Sequence, residues 1–207
     1  MESYNRGLLV KKIYDSGLSM FNIHILKNIL EIKKENTLLL IISSLVKNGI
    51  LQKIEKGKFF ITSKPPDDFS LAYFLYQPSY ISLETSLNLH GILSQFPYEI
   101  TSVTTKKKRE KLVSFWHTGE KGEKIFIYLH IKTSLFWGYF KKNNSLIAEP
   151  EKAILDTLYF ASKGEREFNF DELNFSSIDK IKLFSYAKKF PQTRQFVKYF
   201  DKFKRYL

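Results

Sequence analysis

The stretch S-S-L-V-K-N-G-I-L-Q-K-I-E-K-G-K-F-F-I, residues 43–61, decides how the amino-terminal part of the chain is read. A helical pattern stops at Gly49 and the period then changes. Residues 50–54 and 58–62 read as two strands around Glu55-Lys56-Gly57, a turn with glycine where a positive φ is wanted. Working back from this hairpin, Thr37 to Asn48 is predicted as a helix, with Lys33-Lys34-Glu35-Asn36 as the turn before it. Ile23, Leu26, Ile29 and Leu30 fall at helical spacing behind Ser19 or Asn22 as cap. Leu8, Leu9, Val10 and Ile13 supply the core face of a first helix, about Arg6 to Tyr14, which Gly17 ends. Three helices and a hairpin make a winged helix-turn-helix, the fold expected for residues 1–68. The run Thr62-Ser63-Lys64-Pro65-Pro66-Asp67-Asp68 is its linker, because two prolines lock φ and cannot donate to a ladder.

Beyond the linker the pattern is mixed. Residues 69–76 read as a short buried segment, and Ser82 caps a helix carrying Leu83, Leu87 and Leu89 that Gly91 closes. Strands are predicted at Tyr98 to Thr104, Val113 to His117, Lys124 to Ile131 and Trp137 to Phe140. Pro150 opens another helix, with Glu149 and Glu151 favourable to its dipole. Residues 162–167 read as a loop, and Ser176 to Leu207 as two amphipathic helices split at Pro191. The expected fold class is therefore α+β: a winged helix-turn-helix, then a mixed α+β effector domain over 69–207 that ends in helices.

Composition narrows the function. The 207 residues are 43% hydrophobic and 26% charged, a globular balance. The longest aliphatic run, Leu38 to Ile42, is far short of a bilayer span, so no membrane partner is expected. The first six residues lack a signal peptide's apolar stretch, which predicts a cytoplasmic protein. With no cysteine, disulfides and thiolate metal sites are excluded. The net charge of +12 is shared, with +4 in residues 1–68 and +8 in 69–207. Such a surplus favours a polyanionic partner, since each lysine on a phosphate releases counterions; a generally lysine-rich composition is the plain alternative.

Double-stranded DNA is the partner a winged helix suggests. Lys33, Lys34, Asn36, Thr37, Ser43, Ser44 and Lys47 are the candidates to reach bases and phosphates from the third helix. Lys53, Lys56 and Lys58 are candidates for phosphates on the hairpin, and the run Lys106, Lys107, Lys108, Arg109 is a further DNA-binding candidate outside it. Against this, residues 38–42 are apolar all round, which leaves Leu39 or Leu40 facing solvent or a partner. The third helix also lacks arginine for a bidentate guanine contact. A winged-helix protein-interaction module that never meets DNA therefore stays open. So does an RNA-binding protein that stacks bases on some of its 19 Phe and 12 Tyr, although Phe126, Tyr128, Phe136 and Trp137 lie in strand-like runs and read as core.

No catalytic chemistry is expected. Glu149, Lys152 and Asp156 are spaced to share one helix face, but first-turn acids suit the dipole and Lys152 with Asp156 makes an i,i+4 pair. His24, His90, His117 and His130 have no ligand spacing, though His117 and His130 are on strands that could be neighbours. No phosphate-loop, dinucleotide or nucleophile-elbow motif occurs, so no metal, cofactor or small-molecule substrate is expected.

Four phrases carry a resemblance: Y-I-S-L-E-T-S-L-N-L-H-G-I at 80–92, T-S-V-T-T-K-K-K-R at 101–109, L-F-W-G-Y at 135–139 and I-A-E-P-E-K-A-I-L-D at 147–156. In this order, with the winged helix before them, they resemble the AbiEi family, the antitoxin and transcriptional repressor of type IV toxin–antitoxin (abortive infection) systems. The resemblance spans about Arg6 to Tyr159; the tail after Ser162 matches only in helical character. It implies an N-terminal domain that binds its own promoter. It also implies an antitoxin domain that counters a nucleotidyltransferase-like toxin.

Overall fold

The computed structural model describes residues 5–117, 120–167, 169–176 and 178–207, with the side chains of 114–121 and 172 outside the description. The chain is mixed α+β and divides into two compact units, residues 1–67 with 113–123 and residues 68–112 with 124–207. Among the described residues no helix is long and apolar enough to cross a membrane.

In the first unit, α1 (Arg6–Asp15) starts behind Asn5, whose side-chain oxygen accepts from the amides of Gly7 and Leu8 at 3.0 and 3.3 Å. Asn22 caps α2 (Ile23–Leu30) by accepting from the Ile25 amide at 2.8 Å. The third helix, α3, runs Glu35–Lys47 and begins two residues before the expected Thr37. Lys34 is its cap and the Glu35 carboxylate stands in its first turn, where the dipole favours it. Leu38, Ile42 and Leu45 form the buried stripe of α3, each worth about 1.5–3 kcal/mol when removed from water. Gly49, at φ +69°, ends the helix and turns the chain into the hairpin.

The hairpin is part of a larger sheet than the sequence suggested. Strands β2 (Leu51–Glu55) and β3 (Lys58–Ile61) pair antiparallel, and β1 (Met20–Asn22) adds to the other edge of β3 with Phe21 opposite Phe59. The strand order is β1-β3-β2. Three residues are too few for alternation to be visible, so β1 is defined by its partner rather than by its own pattern.

In the second unit, residues 68–75 form a helix, α4 (Asp68–Leu75), where a buried segment was expected. Its Leu71, Ala72 and Leu75 are buried. There follow β4 (Ser79–Ile81), α5 (Leu83–Leu89), β5 (Glu99–Thr104), β6 (Arg109–His117), β7 (Glu120–His130), β8 (Tyr139–Lys142), β9 (Ser145–Ala148), α6 (Pro150–Ser162), α7 (Lys180–Ala187) and α8 (Arg194–Lys204). The six strands make one mixed sheet in the order β6-β7-β5-β4-β9-β8, with the ends of β6 and β7 within residues 113–123 grouping with the first unit. Parallel pairs β5/β7 and β4/β9 sit beside antiparallel pairs β4/β5 and β8/β9. Residues 151–161 of α6 are all buried, because α5, α7 and α8 pack around that helix. Phe126 and Tyr128 are fully buried, and Phe136 and Trp137 are partly buried against the core that holds Ile127 and Leu129.

Several local expectations change. Strands β4 and β9 were not anticipated, and the predicted Trp137–Phe140 strand begins at Tyr139, after Gly138 at φ +74°. Arg109 belongs to β6 rather than to the turn before it. Ser82 stands at the cap position of α5 without a side-chain cap bond; its hydroxyl is turned to the Asp156 carboxylate, to which it donates at 2.8 Å.

Candidate nucleic-acid interface

The buried stripe of α3 leaves its opposite face to solvent. Asn36, Leu40, Ser43 and Lys47, at spacings of four, three and four, line that outer face, and all four are exposed. Leu40 is 72% exposed and its neighbour Leu39 is 44% exposed, so both of the leucines that the apolar run left without a core position do face outward. Lys33 and Lys34 are exposed immediately before the helix, and Thr37 is half-buried on its flank. On the hairpin, Lys53 and Lys56 are exposed. Among the described residues none of Lys33, Lys34, Lys47, Lys53 and Lys56 is held in an ion pair.

Two of the candidates are already engaged. Lys58 lies 3.0 Å from the Glu55 carboxylate across the turn, which neutralises much of its pull on a phosphate. Ser44 accepts a hydrogen bond from the Arg6 guanidinium at 2.8 Å, and the other arm of Arg6 reaches Asn48 at 3.4 Å. The sequence offered no arginine in the third helix; the fold brings one to it from the start of α1. Nothing in the local pattern marks Arg6 for this place, since 38 residues separate it from Ser44.

The second unit holds the run Lys106 to Arg109. Lys106, Lys107, Lys108 and Arg109 are all exposed, the first three on the turn after β5 and Arg109 as the first residue of β6. Tyr76 stands beside them and donates from its hydroxyl to the Lys107 carbonyl at 3.1 Å.

The carboxylates that invited a catalytic reading separate in space. Glu149 is the cap of α6 and turns to α7, accepting from the Tyr186 hydroxyl at 2.7 Å with Lys182 at 3.3 Å. It does not share a face with Lys152 and Asp156, because a cap residue lies outside the helical turn. Those two are paired and fully buried, at 0% exposure each. The carboxylate of Asp156 accepts from Lys152, from Tyr80 at 2.9 Å and from Ser82 at 2.8 Å, and Lys152 also donates to the Tyr80 oxygen at 2.8 Å. Burial pushes Asp156 up and Lys152 down from their ordinary ranges, and the ion pair opposes both shifts. Three donors converge on this one carboxylate. Gly138 closes over the stem of Lys152, and the rings of Tyr80, Trp137 and Phe190 stand 5.0–5.2 Å from its ammonium.

His90 bonds the Ala148 carbonyl at 2.8 Å and His130 the Lys106 carbonyl at 2.9 Å. Strands β6 and β7, which carry His117 and His130, are neighbours, but the His117 side chain lies outside the described residues. Compared with known proteins, the chain matches no family model and has no significant match among curated sequences.

Proposed function

We propose that the chain is a DNA-binding transcriptional regulator of the repressor–antitoxin kind, with its first unit acting as a winged helix-turn-helix. The order α1-β1-α2-α3-β2-β3, with β3 between β1 and β2, supports that reading. One observation carries it: α3 buries Leu38, Ile42 and Leu45 and presents Asn36, Ser43 and Lys47 on its outer face, with exposed lysines at its start and on the hairpin. Polar groups on a helix of this width suit base edges in the major groove, and the flanking lysines suit phosphates. Leu40, in the middle of that face, matches the methyl group of a thymine. The assignment of the second unit to an antitoxin role, against a nucleotidyltransferase-like toxin in the cytoplasm, rests on the four phrases alone. On this reading the protein works by binding and carries out no catalysis of its own.

A competition gel shift with its own upstream region against random duplex tests the proposal. Preference for the promoter supports a specific repressor, and equal binding removes it. A second reading, a protein-interaction module, is favoured by the exposure of Leu39 and Leu40. It requires that no duplex binds at low salt, where phosphate contacts are strongest.

A further inference from the structure

The second unit contains a concave cationic site built around Tyr76. Arg109, Lys106 and Lys111 stand 5.2, 5.6 and 5.7 Å from the centre of its ring. The ring is held from two sides, by its hydroxyl on the Lys107 carbonyl at 3.1 Å and by the edge of Tyr128 at 5.1 Å. Tyr128 is fixed in turn, donating to the Ala72 carbonyl at 2.7 Å. The basic turn is pinned through its backbone: the Lys106 carbonyl is bonded by His130 at 2.9 Å and the Lys106 amide donates to Thr104 at 3.1 Å. Its side chains are exposed, and a cavity of about 700 Å³ opens between Tyr76, Thr105, Lys106, Lys107, Lys108 and His130. Among the described residues no carboxylate pairs with Lys106, Lys107, Lys108 or Arg109.

Like charges held this close repel, and an anion relieves the repulsion. The π-face of Tyr76 attracts the cations and fixes where their heads converge, so less freedom is lost when a ligand arrives. The shape of the site distinguishes among anions. A duplex backbone presents its phosphates along a line, whereas here three cations gather on one ring and three lysines line the cavity beside it, with Lys106 common to both. That arrangement suits a compact group carrying several negative charges. His130 also lines the cavity, donating from Nδ1 to the Lys106 carbonyl.

We propose that this cavity binds a compact phosphate group, of the kind carried by a nucleoside triphosphate or by the 5′-phosphorylated end of a nucleic-acid strand. Lys106, Lys107, Lys108 and Arg109 supply the charge, and Tyr76 is the positioning residue. The site lies wholly within the second unit and does not depend on the DNA contacts proposed for the first.

The test uses the full chain with Lys33, Lys34, Lys53 and Lys56 changed to Ala, so that the first unit contributes little. Calorimetric titrations at fixed ionic strength compare ATP, adenosine, and a short single-stranded oligonucleotide with and without a 5′-phosphate. Binding of ATP or of the 5′-phosphorylated strand is expected, with the tighter of the two identifying the source of the phosphate. Adenosine and the unphosphorylated strand should bind at least about tenfold more weakly, as should the phosphate ligands to a Lys106→Ala/Lys107→Ala/Lys108→Ala variant. Tyr76→Leu should weaken binding similarly, whereas Tyr76→Phe, which keeps the ring, should restore it. The proposal is overturned if neither phosphate ligand binds, if adenosine binds as well as ATP, or if the folded triple-lysine variant binds like its parent.

Discussion

Lys152 and Tyr80 are joined by a 2.8 Å hydrogen bond from the ammonium to the phenol oxygen, and the same phenol donates onward to Asp156. The two residues lie in different phrases of the sequence, separated by 72 positions. Ser82 comes from the phrase of Tyr80, and Gly138 and Trp137 come from a third phrase that closes over the lysine. Thr101, from the remaining phrase, donates to the Ser82 carbonyl at 2.7 Å. Three of the four phrases that carry the family resemblance therefore meet around one buried ion pair, and the fourth braces it through Ser82. They describe how the second unit is held together, and this explains why motifs containing Glu, Lys and Asp look catalytic in one dimension.

The first prediction concerns that pair. Changing Lys152 to Met leaves the Asp156 carboxylate buried without its counter-charge, and breaking a buried pair in this way costs about 3–5 kcal/mol. A Lys152→Met/Asp156→Leu double variant removes both charges and should recover much of the loss. Urea unfolding of the two variants checks this. Equal destabilisation of single and double variants would show that packing, not charge, sets the cost.

Gly138 gives a second, independent test of the same region. A Cβ there would stand 3.0 Å from Cγ of Lys152 and 3.2 Å from its Cβ, in a backbone at φ +74°. Left-handed geometry costs a non-glycine residue about 1–2 kcal/mol before the close approach is counted. Gly138→Ala is expected to lower the melting temperature. The destabilisation should shrink in a Lys152→Ala background, where the crowded atoms beyond Cβ are gone; an unchanged effect would assign the cost to backbone strain and the remaining Cβ contact.

The parts of this fold that were legible in the sequence are those with a local cause. Gly49 and Gly57 both adopt positive φ, Asn22 caps α2, and Pro150 opens α6, each from chemistry within a turn of itself. What escaped is set from a distance. The strands β1, β4 and β9 have three or four residues each and exist through their neighbours, Phe59 for Phe21 and Ile147 for Ile81. Ser82 has the right place and chemistry for a cap, yet its proton goes to a carboxylate 74 residues away. The candidate interface divides in the same way. Periodicity identifies the outward leucines and Lys47 of α3, but not Arg6 beside Ser44 or the pairing of Lys58 with Glu55.

The Lys12–Glu31 ion pair predicts a pH dependence within the first unit. Lys12 lies 2.6 Å from the Glu31 carboxylate, and this hydrogen bond and charge hold Glu31 below its usual range. A carboxylate whose folded pKa is depressed adds stability that is fully present above its unfolded value of 4.5. That contribution is lost as the pH falls through the folded pKa. Lys12→Met should move the Glu31 titration, followed by NMR of its side-chain carboxyl, back toward 4.5. An unmoved titration would mean that the pair does not persist in solution, as happens with many exposed pairs.

The last prediction separates the two proposed roles within the intact chain. Residues 113–123 belong to the same compact unit as residues 1–67, so cutting at residue 68 would divide that unit and confuse loss of function with loss of fold. Point changes avoid this. A Lys33→Ala/Lys34→Ala/Lys53→Ala/Lys56→Ala variant alters four exposed side chains with no ion-pair partner among the described residues, so its stability should stay close to that of the parent. Its DNA binding should weaken uniformly across sequences, and the slope of log K against log salt should become shallower by roughly 0.9 for each phosphate that a lysine no longer neutralises. Lys58→Ala should change that slope little, because Glu55 already holds the ammonium. Asn36→Ala and Ser43→Ala, on the outer face of α3, should instead relax sequence preference while leaving the slope intact. Each variant is then co-expressed with a cognate nucleotidyltransferase-like toxin, and promoter activity and growth are followed together. The four-lysine variant is expected to lose repression and keep rescue, since the antitoxin role is assigned to the second unit. Loss of both by a folded variant would overturn that division and place the antitoxin function on the same surface as the DNA contacts.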